Sequence, residues 1–170
     1  MDKRFFVFYA LIAAVILWLV LPNSLFGLFA AMLIAVGCGV LESVQPLFRP
    51  ASFAGTAMAL VLLVGRTGVL PGVLGTVLIT VVSTVALCLL ALAVAALERE
   101  TLGSPLPAWA AIVLLGAGGV CTALLSAGLF PAAASVIVPY VDKIAQLGKI
   151  VLLVAVFRAQ SVVIRKGEFK

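Results

Sequence analysis

Residues 69–97 read VLPGVLGTVLITVVSTVALCLLALAVAAL, a run of 29 positions without a charged side chain. A helix needs about 20 predominantly apolar residues to cross the hydrocarbon core of a bilayer. The run is longer than that, and a tilted helix absorbs the excess. The rest of the chain has little polar material with which to hide it from water. Of the 170 residues, 65% are hydrophobic and 10% are charged, and the mean hydropathy is +1.37. A soluble domain is about half apolar and about a quarter charged, and small domains keep much of their surface wet. Lipid resolves the mismatch. The expected fold class is all-α, a polytopic transmembrane helical bundle forming one domain over residues 1–170.

Upstream of this run, Phe5–Leu21 is a candidate span closed by Pro22, Asn23 and Ser24. Leu25–Leu41 is the next, ended by Glu42. Residues 42–50 hold Ser43, Gln45, Pro46, Arg49 and Pro50 and read as a polar connection. Ala51–Gly65 is only 15 residues long, so it either recruits Leu47 and Phe48 or thins the bilayer around it. Lys3 and Arg4 before an apolar stretch imitate a signal peptide, but no A-x-A-like site follows. The stretch is therefore read as a retained first span.

Downstream, Glu98, Arg99 and Glu100 read as the most strongly charged loop. Pro107–Leu129 is the fifth span, with Pro105 and Pro107 at its start, where first-turn N–H groups have no helical partner to lose. Residues 130–141 are apolar but too short to cross, with Pro131 and Pro139 inside. They are expected to be interfacial or re-entrant. A last helix is expected over residues 141–164, which gives about six spans.

The net charge is +5, from 11 Lys and Arg against 6 Asp and Glu. With both ends in the cytoplasm, Lys3, Arg4, Arg49, Arg99, Arg165, Lys166 and Lys170 all fall inside, and Arg66 is the one loop cation outside. That distribution obeys the positive-inside rule, whereas the opposite orientation inverts it. A bacterial cytoplasmic (inner) membrane is the expected location. Merging the short third segment into a re-entrant loop would leave five spans and a basic tail outside.

Several chemistries fall away. There is no histidine, which removes His-ligated haem, His-containing metal sites and His-based triads. Cys38, Cys88 and Cys121 lie singly in apolar segments, without the spacing of a zinc site. No basic stripe is interleaved with aromatics, so nucleic acid is not an expected partner. No cofactor and no catalytic centre are expected, because catalysis needs a nucleophile with a base, paired carboxylates or a metal.

In lipid, helices associate through small residues that let backbones approach. Ala31, Ala35 and Gly39 repeat at four-residue spacing, as do Gly119, Ala123 and Ala127, and Gly55 and Ala59 form a shorter version. These faces serve packing within the bundle or contact with another subunit.

A charge in the membrane costs roughly 2.5 kcal/mol or more and so marks a functional candidate. The main cluster is Asp142, Lys143, Gln146 and Lys149 on the last helix. Residues 142, 146 and 149 follow the i, i+4, i+7 spacing of one helical face, with Pro139 before them and Gly148 within. A polar stripe beside a broken helix is a common construction for a transport site. The bland alternative is a solvated first turn at the outer interface, its lysines snorkelling to water. Arg158 either snorkels to the inner headgroups or pairs with Glu42 or Glu98, acids at matching depth. Glu42, Gln45 and Arg49 form a second polar group, either a solvated turn or a docking site at the inner face. Arg66, in Gly65-Arg66-Thr67-Gly68, is a loop cation or a hold on an anion. The Lys-Ser/Thr that completes a phosphate-binding loop is missing there.

The expected function is that of an integral membrane subunit of a multi-component complex, transport-related, with membrane lipids and other membrane subunits as partners. The alternatives are a stand-alone small-solute transporter or substrate-binding membrane component, and a purely structural or assembly subunit. In span number and size alone, the chain is similar to the substrate-capturing membrane subunits of energy-coupling-factor vitamin transporters. The discriminating feature is whether the 142–149 stripe lines an enclosed polar cavity.

Overall fold

A computed structural model describes residues 3–21, 25–69, 72–102, 104–129 and 131–168. Within them, only the backbone path is described at 3–5, 101, 102, 131–135, 162 and 164–168. Six helices follow one another: α1 Lys3–Val20, α2 Leu25–Leu41, α3 Phe48–Arg66, α4 Gly72–Leu102, α5 Leu106–Ser126 and α6 Pro131–Glu168. The absence of strands among the described residues suits lipid. A helix satisfies its own backbone hydrogen bonds, and hydrocarbon offers no other partner.

The stretches Phe48–Arg66, Gly72–Glu100 and Leu106–Ser126 are each long and apolar enough to cross a membrane, while Phe6–Val20 and Leu25–Leu41 are shorter apolar helices. The chain is a helical membrane bundle. Its outer surface presents Phe6, Phe29, Phe53, Leu60, Val113, Val120, Leu147 and Phe157, all largely exposed. That surface contacts lipid.

Each helix packs on the next, and α6 closes the circuit against α1 while also touching α4. The core inside this ring is built from Phe8, Leu11 and Val15 of α1, Ile34 and Leu41 of α2, Phe48 and Met58 of α3, Leu87, Leu90 and Val94 of α4, and Leu152 and Val156 of α6. Small residues set the closest approaches. A Cβ built on Gly55 would lie 2.8 Å from the Ala35 backbone nitrogen, and Ser52 Oγ donates to the Ala35 carbonyl at 2.7 Å. The Ala31–Ala35–Gly39 face is therefore used within the bundle, against α3. On α5, Gly119 is used against α4, whereas Ala127 is exposed.

The helix ends have local causes. Gly68 and Gly128 have φ of 73° and 76°. This left-handed conformation, which glycine adopts without a Cβ penalty, stops α3 and α5. Pro107 sits in the first turn of α5, as its missing N–H allows.

Three expectations need correction. Glu98, Arg99 and Glu100 are not a loop: α4 carries them as its final turns up to Leu102, since Glu and Arg favour the helix and no breaker precedes Gly103. The fifth helix ends at Ser126 rather than at Leu129. Most consequentially, no separate re-entrant piece precedes a helix beginning near 141. Residues 131–168 form one helix with Pro139 inside it. Proline removes a single donor from the ladder, and here the helix continues through that gap. Phe130 lies outside the described residues. The short third segment lengthens to 19 residues by gaining Phe48, Arg49 and Pro50 at its start and Arg66 at its end, while Leu47 stays outside the helix.

Candidate functional site

The crossing of α5 and α6 places the site. A Cβ built on Gly118 would lie 2.9 Å from the Ala145 Cβ, and one on Gly148 would lie 2.9 Å from the Leu115 backbone nitrogen. With no side chain at either glycine, the two backbones nearly touch, and the residues flanking the crossing face one space. On α6 that face holds Asp142, Ala145 and Lys149.

The space is a cavity of about 230 Å³. Trp18 of α1 and Leu115 and Gly119 of α5 help to line it, with Ile79, Thr80, Ser83, Thr84 and Leu87 of α4 opposite α6. A second cavity, of about 270 Å³, adjoins it and shares Thr122 and Asp142. Leu125, Ser126, Val138 and Val141 complete the second lining. It lies toward the end of the bundle where α5 finishes and α6 begins. Asp142 stands at the junction of the two spaces, and Lys149 lies about 10 Å further along α6, at 1.5 Å per residue.

The opposite side is closed. Leu90, Ala91 and Val94 of α4 and Leu152, Ala155 and Val156 of α6 are fully buried below the cavity. Beyond them Arg158 Nε stands 3.6 Å from Glu98 Oε1, whose side chain is fully buried. Of the two acids expected to meet Arg158, the structure selects Glu98. Toward the α4 C-terminus, therefore, this buried layer fills the space between α4 and α6.

Three hydroxyls in the lining spend their protons on their own helices. Thr80 Oγ1 donates to the Thr76 carbonyl at 2.9 Å, and Ser83 Oγ to the Thr80 carbonyl at 3.0 Å. Thr122 Oγ1 donates to the Gly118 carbonyl at 2.8 Å. A hydroxyl so engaged keeps only its lone pairs to offer. Such bonds satisfy polar groups without breaking the helix. The lining thus presents these hydroxyl acceptors, the Thr84 hydroxyl, the Trp18 indole N–H, one carboxylate and one ammonium. No ion pair within 4 Å joins Asp142 to Lys149 among the described residues.

Of the sequence candidates, Asp142 and Lys149 come together in this way. Asp142, Lys143 and Gln146 are all exposed, and of the three only Asp142 lines either cavity. Ala145 and Lys149 lie on one side of Asp142 around the helix, and Gln146 lies on the other, at about 100° per residue. Of the expected face, therefore, Asp142 and Lys149 line the cavity and Gln146 does not.

Glu42, Gln45 and Arg49 gather at the far end. Arg49 Nε is 3.6 Å from Glu42 Oε1 at the surface, and the Arg49 guanidinium lies 6.0 Å from the Phe53 ring centre. Gln45 is buried and its Nε2 donates to Glu100 Oε1 at 2.9 Å, tying the α2–α3 connection to the end of α4. Arg66 is exposed in the last turn of α3, where its charge suits the carbonyl end of the helix.

Reading the sequence missed Trp18, Thr80, Ser83, Thr84 and Thr122. A faint signal existed: Thr76, Thr80 and Ser83 recur at four- and three-residue spacing in an otherwise apolar run. Among the described residues, no group of three or more His, Cys, Asp or Glu could hold a metal ion. Comparison with known protein families, with characterised proteins and with solved structures finds no match to this chain.

Proposed function

We propose that this chain is a transport-type membrane protein that binds a small polar solute within the bundle, as a transporter or as the substrate-binding component of one. One observation carries the reading: exposed Asp142 and half-buried Lys149 line one cavity between α1, α4, α5 and α6. Charges set in an apolar span are costly and tend to be kept where they meet a solute, an ion or a proton. The buried apolar layer and the Glu98–Arg158 pair toward the α4 C-terminus fit an outward-facing state closed on the inner side.

In this reading the bundle crosses a bacterial cytoplasmic membrane six times, N-in and C-in, and carries no catalytic centre of its own. The exposed Glu42–Arg49 pair and Leu47 at the inner connection favour a second role as a docking point for another subunit of a transport complex.

Trp18 supplies the test, because it lines the cavity while Trp109, the other tryptophan, is exposed. In a Trp109→Phe protein held in lipid nanodiscs, Trp18 fluorescence should change saturably with a solute drawn from amino acids, monocarboxylates, amines or sugars. The change should weaken in Asp142→Asn. No response to any class would remove the support for a binding cavity.

A further inference from the structure

Resting on that reading, we infer that the solute is a small aliphatic zwitterion, of the amino-acid class, bound with its ammonium toward Asp142 and its carboxylate toward Lys149. Asp142 and Lys149 line the same cavity from one face of α6 without forming an ion pair. They are seven residues apart, about 10 Å along the axis. The lysine side chain leans toward the N-terminus of its helix, and so back toward Asp142. No ion pair within 4 Å joins the two side chains among the described residues, and a ligand carrying both charges would bridge them.

Charge balance argues the same way. The lining holds one carboxylate and one ammonium, so a net-neutral ligand adds no uncompensated charge to a site walled by apolar helices. A lone anion would leave an excess negative charge there, and a lone cation an excess positive one. Each is expensive away from water.

The hydroxyls refine the choice. Thr80, Ser83 and Thr122 offer acceptors, their protons being spent on backbone carbonyls. Acceptors suit the three N–H donors of an ammonium group. Thr122 lines the cavity beside Asp142, which puts an acceptor next to the carboxylate. A sugar or polyol brings acceptors as well as donors. Besides Lys149, the Thr84 hydroxyl and the Trp18 indole N–H are donors in the lining, so the preference for a zwitterion over a polyol rests on the two opposite charges. The rest of the wall is Trp18, Ile79, Leu87 and Leu115, which suits an aliphatic side chain. About 230 Å³ limits its size.

The test uses the full chain in nanodiscs and calorimetric titration. The probes are glycine, L-alanine, L-valine and L-leucine, with propionate and ethylamine as half-ligands and sorbitol as a polyol. At least one amino acid should bind saturably, about tenfold or more tighter than either half-ligand, as expected when one charge-assisted contact is lost. Asp142→Asn and Lys149→Met should each weaken that binding about tenfold or more, while Gln146→Ala leaves it unchanged. The ligand panel on the unmodified protein stands whether or not the variants fold. Propionate binding as tightly as the amino acids, indifferent to Asp142→Asn, would overturn the zwitterion and leave a solute-binding cavity for anions. Ethylamine binding equally well, indifferent to Lys149→Met, or sorbitol binding better than any amino acid, would overturn it likewise. Binding of none of the probes would overturn it too, and if the Trp18 assay were also silent, the binding reading would fall with it.

Discussion

Glu98 of α4 and Arg158 of α6 meet 3.6 Å apart near the C-terminal end of α4, with the carboxylate fully buried and the guanidinium partly exposed. This asymmetry decides what each substitution does. Arg158→Met leaves a fully buried carboxylate without this cation, whereas Glu98→Gln leaves a guanidinium that still reaches the surface. Breaking a buried pair costs about 3–5 kcal/mol when a charge is stranded. Arg158→Met should therefore approach that loss, and Glu98→Gln should fall clearly below it. Thermal unfolding in detergent, monitored by loss of helical circular dichroism, measures both. Equal losses would show that the pair is not what the carboxylate depends on.

The α5–α6 crossing makes a prediction about shape. Gly148→Val sets a branched side chain where a Cβ alone would be 2.9 Å from the Leu115 backbone. The helices must separate, at a cost of about 1–3 kcal/mol for overpacking, and the cavity between them must change. Gly116, also in α5, has nothing within 4 Å of a built Cβ. Gly116→Ala should therefore be neutral, or stabilise by up to about 1 kcal/mol through helix propensity. Unfolding midpoints of the two variants, compared with the unmodified chain, check the contrast.

These relationships mark how far the residues alone can be read. The charge-free run at 69–97 announced a membrane helix because length and hydropathy are local properties. Arg158 could be matched to Glu98 or Glu42 because depth along a span is also countable from the sequence. The choice between them was not legible, since it depends on α6 packing beside α4 rather than α2. Thr80, Ser83 and Thr122 were passed over for the same reason. A hydroxyl bonded to its own helix looks inert until another helix brings a charge opposite it. Pro139 read as a break because proline usually is one, and neighbouring turns alone decide whether a helix survives the lost bond. Gln146 was placed on the site by a spacing that fits either edge of a helical stripe, and only the packed position of Ala145 shows which edge faces inward.

Orientation can be checked on exposed positions at opposite ends of the bundle. Ser43 lies in the α2–α3 connection and Thr67 caps the end of α3, and both are exposed. In a protein whose cysteines are replaced by alanine, Ser43→Cys should resist a membrane-impermeant maleimide in intact cells and react after lysis. Thr67→Cys should react in intact cells. The reverse pattern would invert the N-in/C-in assignment. Labelling of both positions from one side would show that α3 does not cross.

Partnership is the last question that a single measurement separates. The α2–α3 connection offers Leu47, Glu42 and Arg49 at the surface, and the Arg49 guanidinium lies 6.0 Å from the Phe53 ring centre. An exposed ion pair of this kind contributes only about 0–1 kcal/mol to folding, so stability alone gives little reason for it. Electrostatic matching to another subunit gives a better one, since surface charges set specificity and association rate. Gentle solubilisation and mass determination of the intact, unlabelled particle should find other polypeptides in fixed ratio. Arg49→Glu, which sets two acids side by side, should release them while leaving solute binding at Asp142 and Lys149 intact. A particle containing only this chain, with or without that substitution, would remove the obligate-subunit role and leave the transport function to this bundle alone.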